Sequence, residues 1–177
     1  MYITERSNLT YKQGNLLDMF EEGQFDLIAH GCNCEMNMSG GIAQQIAQRY
    51  PQAVQADYLS VALWGTNEVL GKYTISRVMD YGKSKAKERH IVNLYTQLWA
   101  GNDFRLNALI DSLRMLNRQE AKNRGGFLKR LITKKRTIGL PLIGCGIGGG
   151  DWKQVEAVFQ SCLSEFNVTV VHYIEER

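Results

Sequence analysis

Only 2 of the 177 residues are proline and only 4 are cysteine, and no apolar run approaches the roughly 20 residues that span a bilayer. Cys32, Cys34, Cys145 and Cys162 could make at most two bridges, too few for a disulfide scaffold in a chain of this length. The opening MYITERSNLT has no basic stretch followed by an apolar one, so no secretory leader is expected. Charge of one sign is lacking too, with 21 basic residues against 18 acidic ones. These absences point away from membranes and secretion and lead us to expect a cytoplasmic protein with no membrane partner.

What is present fits a globular domain: 44% apolar and 22% charged residues. A chain of this length buries roughly 70% of its unfolded surface and folds without a metal or disulfide. Two features depart from the ordinary. There are 17 glycines, six of them between Gly139 and Gly150, and residues 83 to 136 hold 14 basic and 4 acidic residues, a local +10. No repeat or linker-like stretch interrupts the chain, so residues 1–177 are expected to form one domain.

Apolar patterning predicts strands at Leu9–Gln13, Asp26–Gly31, Lys72–Val78, His90–Tyr95, Thr137–Leu142 and Val168–Ile174. Helical spacing links Ile42, Ala43, Ile46 and Ala47 up to Pro51, then Leu106 to Leu116, then Val155, Val158, Phe159, Cys162, Leu163 and Phe166. Asp151 with Gln154 three positions on resembles a capping box. Strands alternating with helices predict an α/β domain with a mostly parallel or mixed sheet covered on both faces. Ligands of such sheets lie outside the strand carboxyl ends, here after Gly31 and after Leu142.

Both of those segments are rich in glycine and lead into a helix: Ser39-Gly40-Gly41-Ile42-Ala43, and Ile143-Gly144-Cys145-Gly146-Ile147-Gly148. Glycine lets the backbone approach a ligand, and the free N–H groups of a helix start attract anions; tight turns are the other use of the same residues. No lysine follows the glycines, and no Gly-x-Gly-x-x-Gly opens the first strand-helix unit. A diphosphate held by backbone amides, with no cofactor and no obligatory Mg²⁺, fits these turns better than a nucleoside triphosphate or a dinucleotide.

Taken in order, Gly14-Asn15-Leu16, Ala29-His30-Gly31-Cys32-Asn33, Ser39-Gly40-Gly41-Ile42-Ala43, Pro141 to Gly148, Trp152 and a last strand ending at Tyr173 resemble the macro domain family. The run from Ala29 to Cys34, with Arg49-Tyr50-Pro51, is most similar to its ADP-ribose-1″-phosphate phosphatase branch; more typical members have Asn-Ala-Ala-Asn where this chain has His30-Gly31-Cys32-Asn33. The resemblance implies a three-layer α/β/α fold with a mixed central sheet and ADP-ribose across the sheet edge. It places the diphosphate between Gly40, Gly41, Ile42 and Ala43 on one side and Gly144, Cys145, Gly146, Ile147 and Gly148 on the other. It also implies Gly14, Asn15, Leu16, Ser39, Pro141, Ile143 and Trp152 in the site, with Asn15 where most members carry an adenine-binding Asp. Asn33 would hold the distal ribose. Tyr173 either stacks near the adenine or closes a terminal strand.

The implied reaction is removal of the distal phosphate from ADP-ribose-1″-phosphate, a by-product of RNA repair, with His30 as nucleophile or general acid. His30 in a strand has a structural reading as well. Asp103 is either a second acid-base group or the N-cap of the helix bearing Leu106; Glu35 is a weaker candidate. Two alternatives are an ADP-ribosyl hydrolase acting on protein or nucleic acid and an ADP-ribose-binding module without turnover. The family's lysine-adduct branch needs an Asp where this chain has Gly148 and a lysine near Tyr95-Thr96-Gln97-Leu98, so that route is not expected. Cys32-x-Cys34 with Cys145 lacks the paired spacing of a zinc module, and no metal is expected. Lys83, Lys85, Lys87 and Arg89, and Lys129, Arg130, Lys134, Lys135 and Arg136, are read as solvated runs that help draw in an anion; nucleic acid is a less favoured partner. No exposed apolar stripe is evident, and a monomer is expected.

Overall fold

The computed structural model describes residues 9–79 and 88–173. Six strands, β1 (Leu9–Gln13), β2 (Leu27–Asn33), β3 (Tyr73–Met79), β4 (Glu88–Gln97), β5 (Arg136–Leu140) and β6 (Phe166–His172), form one sheet in the order β1-β6-β5-β2-β4-β3. Only β3 runs against its neighbour; the other pairings are parallel. Seven helices accompany them among the described residues: α1 (Leu16–Glu21), α2 (Gly41–Arg49), α3 (Pro51–Trp64), α4 (Thr66–Val69), α5 (Leu106–Arg124), α6 (Phe127–Ile132) and α7 (Trp152–Cys162).

Alternation along the central strands sorts the core into two layers. Leu27, Ala29, Val92 and Leu94 face α5 and α7, where Leu109, Leu113, Val155 and Phe159 meet them. Ile28 and Ile91 face the other way, toward Leu17, Phe20, Ile46 and Ala53 from α1, α2 and α3. The result is the expected α/β/α sandwich with a mixed sheet.

All six expected strands are present, β1 with the expected ends and the other five with shifted ones. β2 runs two residues past Gly31 to Asn33, because its backbone stays paired with β4 through a bulge that leaves Thr96 as the extra residue. Phe166, expected on the last helix, instead opens β6: α7 ends at Cys162, and the Phe166 N–H closes a turn onto the Leu163 carbonyl. Pro51 opens α3 at its first turn, where a missing N–H leaves no hydrogen bond unmade. Asp151 caps α7 by accepting from the Lys153 N–H at 3.0 Å. Residues 1–8, Lys83, Lys85, Lys87 and Ile174 lie outside the described residues.

Two expectations about the surface change. α6 carries no buried residue, and Phe127, Leu128, Leu131 and Ile132 are 67 to 86% exposed, so the chain does present an apolar face; Leu63 and Trp64 at the end of α3 are exposed too. The basic cluster of Lys129, Arg130, Lys134, Lys135 and Arg136 sits on α6 and at the start of β5, whereas Pro141 to Gly148 follow its end. It therefore does not border the glycine loops. Its arginines are also engaged: Arg130 pairs with the buried Glu165, as does Arg124 of α5, and Arg136 pairs with Glu120.

Candidate functional site

A cleft of about 560 Å³ crosses the carboxyl edge of the sheet. It runs from Tyr173 just after β6, past the loop after β5 and the end of β2, to Gln97 at the end of β4 and Gly101 beyond it. Thus the expected residues Asn33, Ser39, Gly40, Gly41, Ile42 and Ala43 line one side, and Pro141, Ile143, Gly144, Cys145, Gly146, Ile147 and Gly148 the other. No lysine, arginine or histidine is among the described residues that line it.

The two glycine loops approach each other at Gly40 and Ile147: a Cβ at Gly40 would stand 3.5 Å from the Ile147 Cδ1. Gly40 is the N-cap of α2 and no side chain caps this helix, so its first N–H groups are available to an anion. Gly41 has φ +56° and open space around it, a conformation that L side chains rarely adopt. The glycines of the second loop divide. A Cβ at Gly146 would meet nothing within 4 Å, so the space beside it is open to a ligand, while its carbonyl accepts from the Gly149 N–H; Cβ atoms at Gly144, Gly148 and Gly150 would collide with Phe104 or with the Gly144 carbonyl. Much of this glycine content therefore serves to wrap a loop around one phenylalanine ring. The Phe104 N–H donates to the Gly148 carbonyl at 3.1 Å and fixes the same contact.

Polar side chains shape the remaining loops. The Asn33 Oδ1 accepts from the Glu35 and Asn37 N–H groups, and its Nδ2 donates to the Asn37 carbonyl at 2.8 Å. Its amide is thus engaged in ordering the loop after β2. Glu35 accepts from the Ala100 N–H at 2.7 Å and so ties that loop to the one after β4. Asp103 is neither a cap nor a cleft residue. Arg105 occupies the N-cap position of α5, while the Asp103 carboxylate accepts from the Leu98 and Trp99 N–H groups and pairs with Arg105. The Trp99 amide, then Arg105 and the Leu98 amide, hold it below the usual carboxylate range.

His30 is not brought to the cleft wall. Its side chain is fully buried, and its Nε2 lies 2.8 Å from the Asn93 Oδ1. The Asn93 Nδ2 donates to the Ala53 carbonyl and to the Thr74 hydroxyl, so Oδ1 is the acceptor and His30 Nε2 the donor. Burial lowers its pKa from 6.5 to about 4, outweighing the Asn93 bond, and the ring is neutral at pH 7. The expected role as direct nucleophile or proton donor does not agree with this position, because β2 turns His30 toward α3 and leaves Gly31 and Cys32 at the cleft. Cys32 lies 3.6 Å from the ring, but burial pushes its thiol well up, as it does for Cys34.

Four other expected residues stand outside the cleft. Asn15 caps α1, its Oδ1 accepting from Leu17 and Asp18, so the acceptor proposed for adenine is already in use. Leu16 is in the core, Gly14 donates its N–H to the His172 carbonyl, and Trp152 packs edge-on against Phe159 and His172. Tyr173 does border the cleft and is 61% exposed, as a stacking residue would be. Sequence reasoning missed Asn37, Gln97, Gly101 and Asp57, all at the cleft. Asp57 had a signal: Ala53, Asp57 and Val61 recur every four residues along the buried side of α3. Among the described residues no group of three or more His, Cys, Asp or Glu side chains is placed to hold a metal ion.

An α/β sandwich with a cleft built from two glycine loops at the carboxyl ends of parallel strands defines the class. The macro domain family model matches residues 29–159, and the chain belongs to that family. The uncharacterized 17.5 kDa protein in the tk-vs intergenic region of Enterobacteria phage T4 is 34% identical over 164 residues, covering 92% of this chain and 95% of that protein. The ADP-ribose 1''-phosphate phosphatase of Saccharomyces cerevisiae is 30% identical over 188 residues, covering 93% and 98%. Among solved structures, the macrodomain of Thermus aquaticus DarG superposes with a TM-score of 0.67 at 25% identity, covering 94% of this chain and 97% of that one. No helix among the described residues is long and apolar enough to cross a membrane.

Proposed function

We propose that this protein binds ADP-ribose derivatives in the cleft and hydrolyses ADP-ribose-1″-phosphate to ADP-ribose and phosphate. One observation carries the reading: the uncapped start of α2 faces the open backbone at Gly146 across a cleft with no cationic side chain, so a diphosphate there is held by amides alone. Similarity to the ADP-ribose 1''-phosphate phosphatase of yeast supports the choice of reaction.

In this reading Gly40 to Ala43 and Gly144 to Gly148 hold the diphosphate. Tyr173 marks the adenine end, and the distal ribose with its phosphate lies toward Asn33 and Gln97. Asn33 shapes its loop, and Gln97, whose Nε2 donates to the Gly101 carbonyl at 2.6 Å, keeps its amide oxygen available to a ligand hydroxyl. His30 is a positioning residue beneath the end of β2. Backbone donors fixed before the ligand arrives hold the diphosphate with little reorganisation and so position the distal phosphate for hydrolysis.

The test is phosphate release from ADP-ribose-1″-phosphate by purified protein in EDTA, alongside calorimetry with ADP-ribose. Turnover with ADP-ribose as product is the expected result. Binding of ADP-ribose without phosphate release would instead make the protein a binding module, and loss of label from an ADP-ribosylated macromolecule would make it an ADP-ribosyl hydrolase.

A further inference from the structure

α3 sets an acid into the floor of the cleft where helical spacing calls for an apolar side chain. Asp57 is 1% exposed, yet it borders the cleft. Its Oδ1 accepts from the Tyr95 hydroxyl at 2.8 Å, and its Oδ2 has no hydrogen-bond partner among the described residues. No lysine or arginine among them pairs with it. The titratable groups facing it are Tyr95 from β4 and the Cys32 and Cys34 thiols from β2 and the loop that follows; Ser60 from α3 also hydrogen-bonds the tyrosine. All of these are neutral at pH 7.

Position along the sheet places this acid at one end of the site. Asn93 meets Ala53 and Tyr95 meets Asp57, so α3 carries Asp57 toward the carboxyl end of β4. That is the end where Gln97 and Gly101 stand, opposite Tyr173. Burial without a counter-charge favours the protonated acid and outweighs the Tyr95 bond, which favours the ionised form. Because the Tyr95 donor needs a bare Oδ1, a proton taken up by this acid sits on Oδ2.

Resting on the phosphatase reading above, we propose that Asp57 is the general acid of the hydrolysis. As water adds to phosphorus and the bond from phosphorus to the sugar oxygen breaks, Oδ2–H gives its proton to the departing oxygen. The attacking water leaves as part of dihydrogen phosphate, and one of its protons returns through solvent to the Asp57 carboxylate. Charge and hydrogen balance: the sugar leaves as a neutral alcohol, and the acid is restored with monohydrogen phosphate as the product.

Phosphate release and its pH dependence, ADP-ribose calorimetry and thermal melting of wild type, Asp57→Asn and Tyr95→Phe test this. Asp57→Asn keeps an acceptor for Tyr95, so it should melt near wild type and bind ADP-ribose within about 3-fold. Its kcat should fall by about 100-fold or more, and the alkaline decline expected of wild type should vanish. Tyr95→Phe keeps the acid but removes the bond favouring its ionised form, so its alkaline decline should move to higher pH. Wild-type kcat in Asp57→Asn would overturn the assignment. Should Asp57→Asn fail to fold, an unmoved alkaline limb in Tyr95→Phe would do so. No phosphate release by wild type overturns the phosphatase reading itself, and the role of Asp57 with it; equal release by wild type and Asp57→Asn overturns Asp57 alone.

Discussion

The His30 Nε2 and the Asn93 Oδ1, 2.8 Å apart, belong to residues that are register partners on β2 and β4. That pairing keeps the imidazole neutral inside the sandwich and gives stability a specific pH dependence. The folded pKa is about 4 against 6.5 for the free side chain, so between these values the unfolded chain binds the proton and the folded one does not. Stability should fall as pH drops below about 6.5 and lose on the order of 3 kcal/mol from this group by about pH 4. Urea midpoints of wild type and His30→Gln across that window measure it; the part due to His30 should be missing from the variant.

The same pair separates position from chemistry. His30→Ala leaves the Asn93 Oδ1 unpaired and should cost about 1–3 kcal/mol. His30→Gln places an amide N–H toward Asn93 and should recover most of the stability and most of the phosphatase rate lost by His30→Ala. A well-folded but inactive His30→Gln protein would return the imidazole to the reaction itself.

Glycines in one loop should respond in opposite ways. Gly144→Ala puts a Cβ into the Phe104 ring at φ +75°, and should destabilise by about 2 kcal/mol or more. Gly146→Ala meets open space, so its unfolding free energy should stay within about 0.5 kcal/mol of wild type. Its affinity for ADP-ribose, measured by calorimetry, should nonetheless drop about tenfold if the ligand touches that backbone.

Glu165 is nearly buried between Arg124 and Arg130. Removing it in Glu165→Ala strands a buried arginine and should cost about 3–5 kcal/mol in denaturant unfolding. Replacing Lys129, Lys134 and Lys135 together by alanine should leave melting nearly unchanged. It should also alter kcat/KM by less than about 2-fold, since these lysines lie on α6 and just before β5, away from the cleft. A large loss of kcat/KM would show that they draw substrate in.

The layer order, the strands and both glycine loops were legible in the sequence because each rests on local pattern: alternation, helical spacing and glycine before a helix. His30 was legible as a histidine at a strand end, but its environment was not. Which face it takes depends on register with Asn93, sixty-three residues away. Asp103 was misread for a related reason: the loop after β4 folds back, and its carboxylate meets amides behind it instead of those of α5 ahead. Asp57 could have been found, since an acid on the buried stripe of an otherwise apolar helix stands out once the stripe is drawn. α6 could not, because six residues with no buried side chain leave no amphipathic signature.

Phe104 has one more implication. The loop from Pro141 to Gly150 takes its curvature from a ring supplied by a different part of the chain, held there by the bond between the Phe104 N–H and the Gly148 carbonyl. Its shape is therefore not portable: transplanted into another scaffold without that aromatic mandrel, the glycines would be free to relax, and the anion cradle would travel as sequence but not as structure.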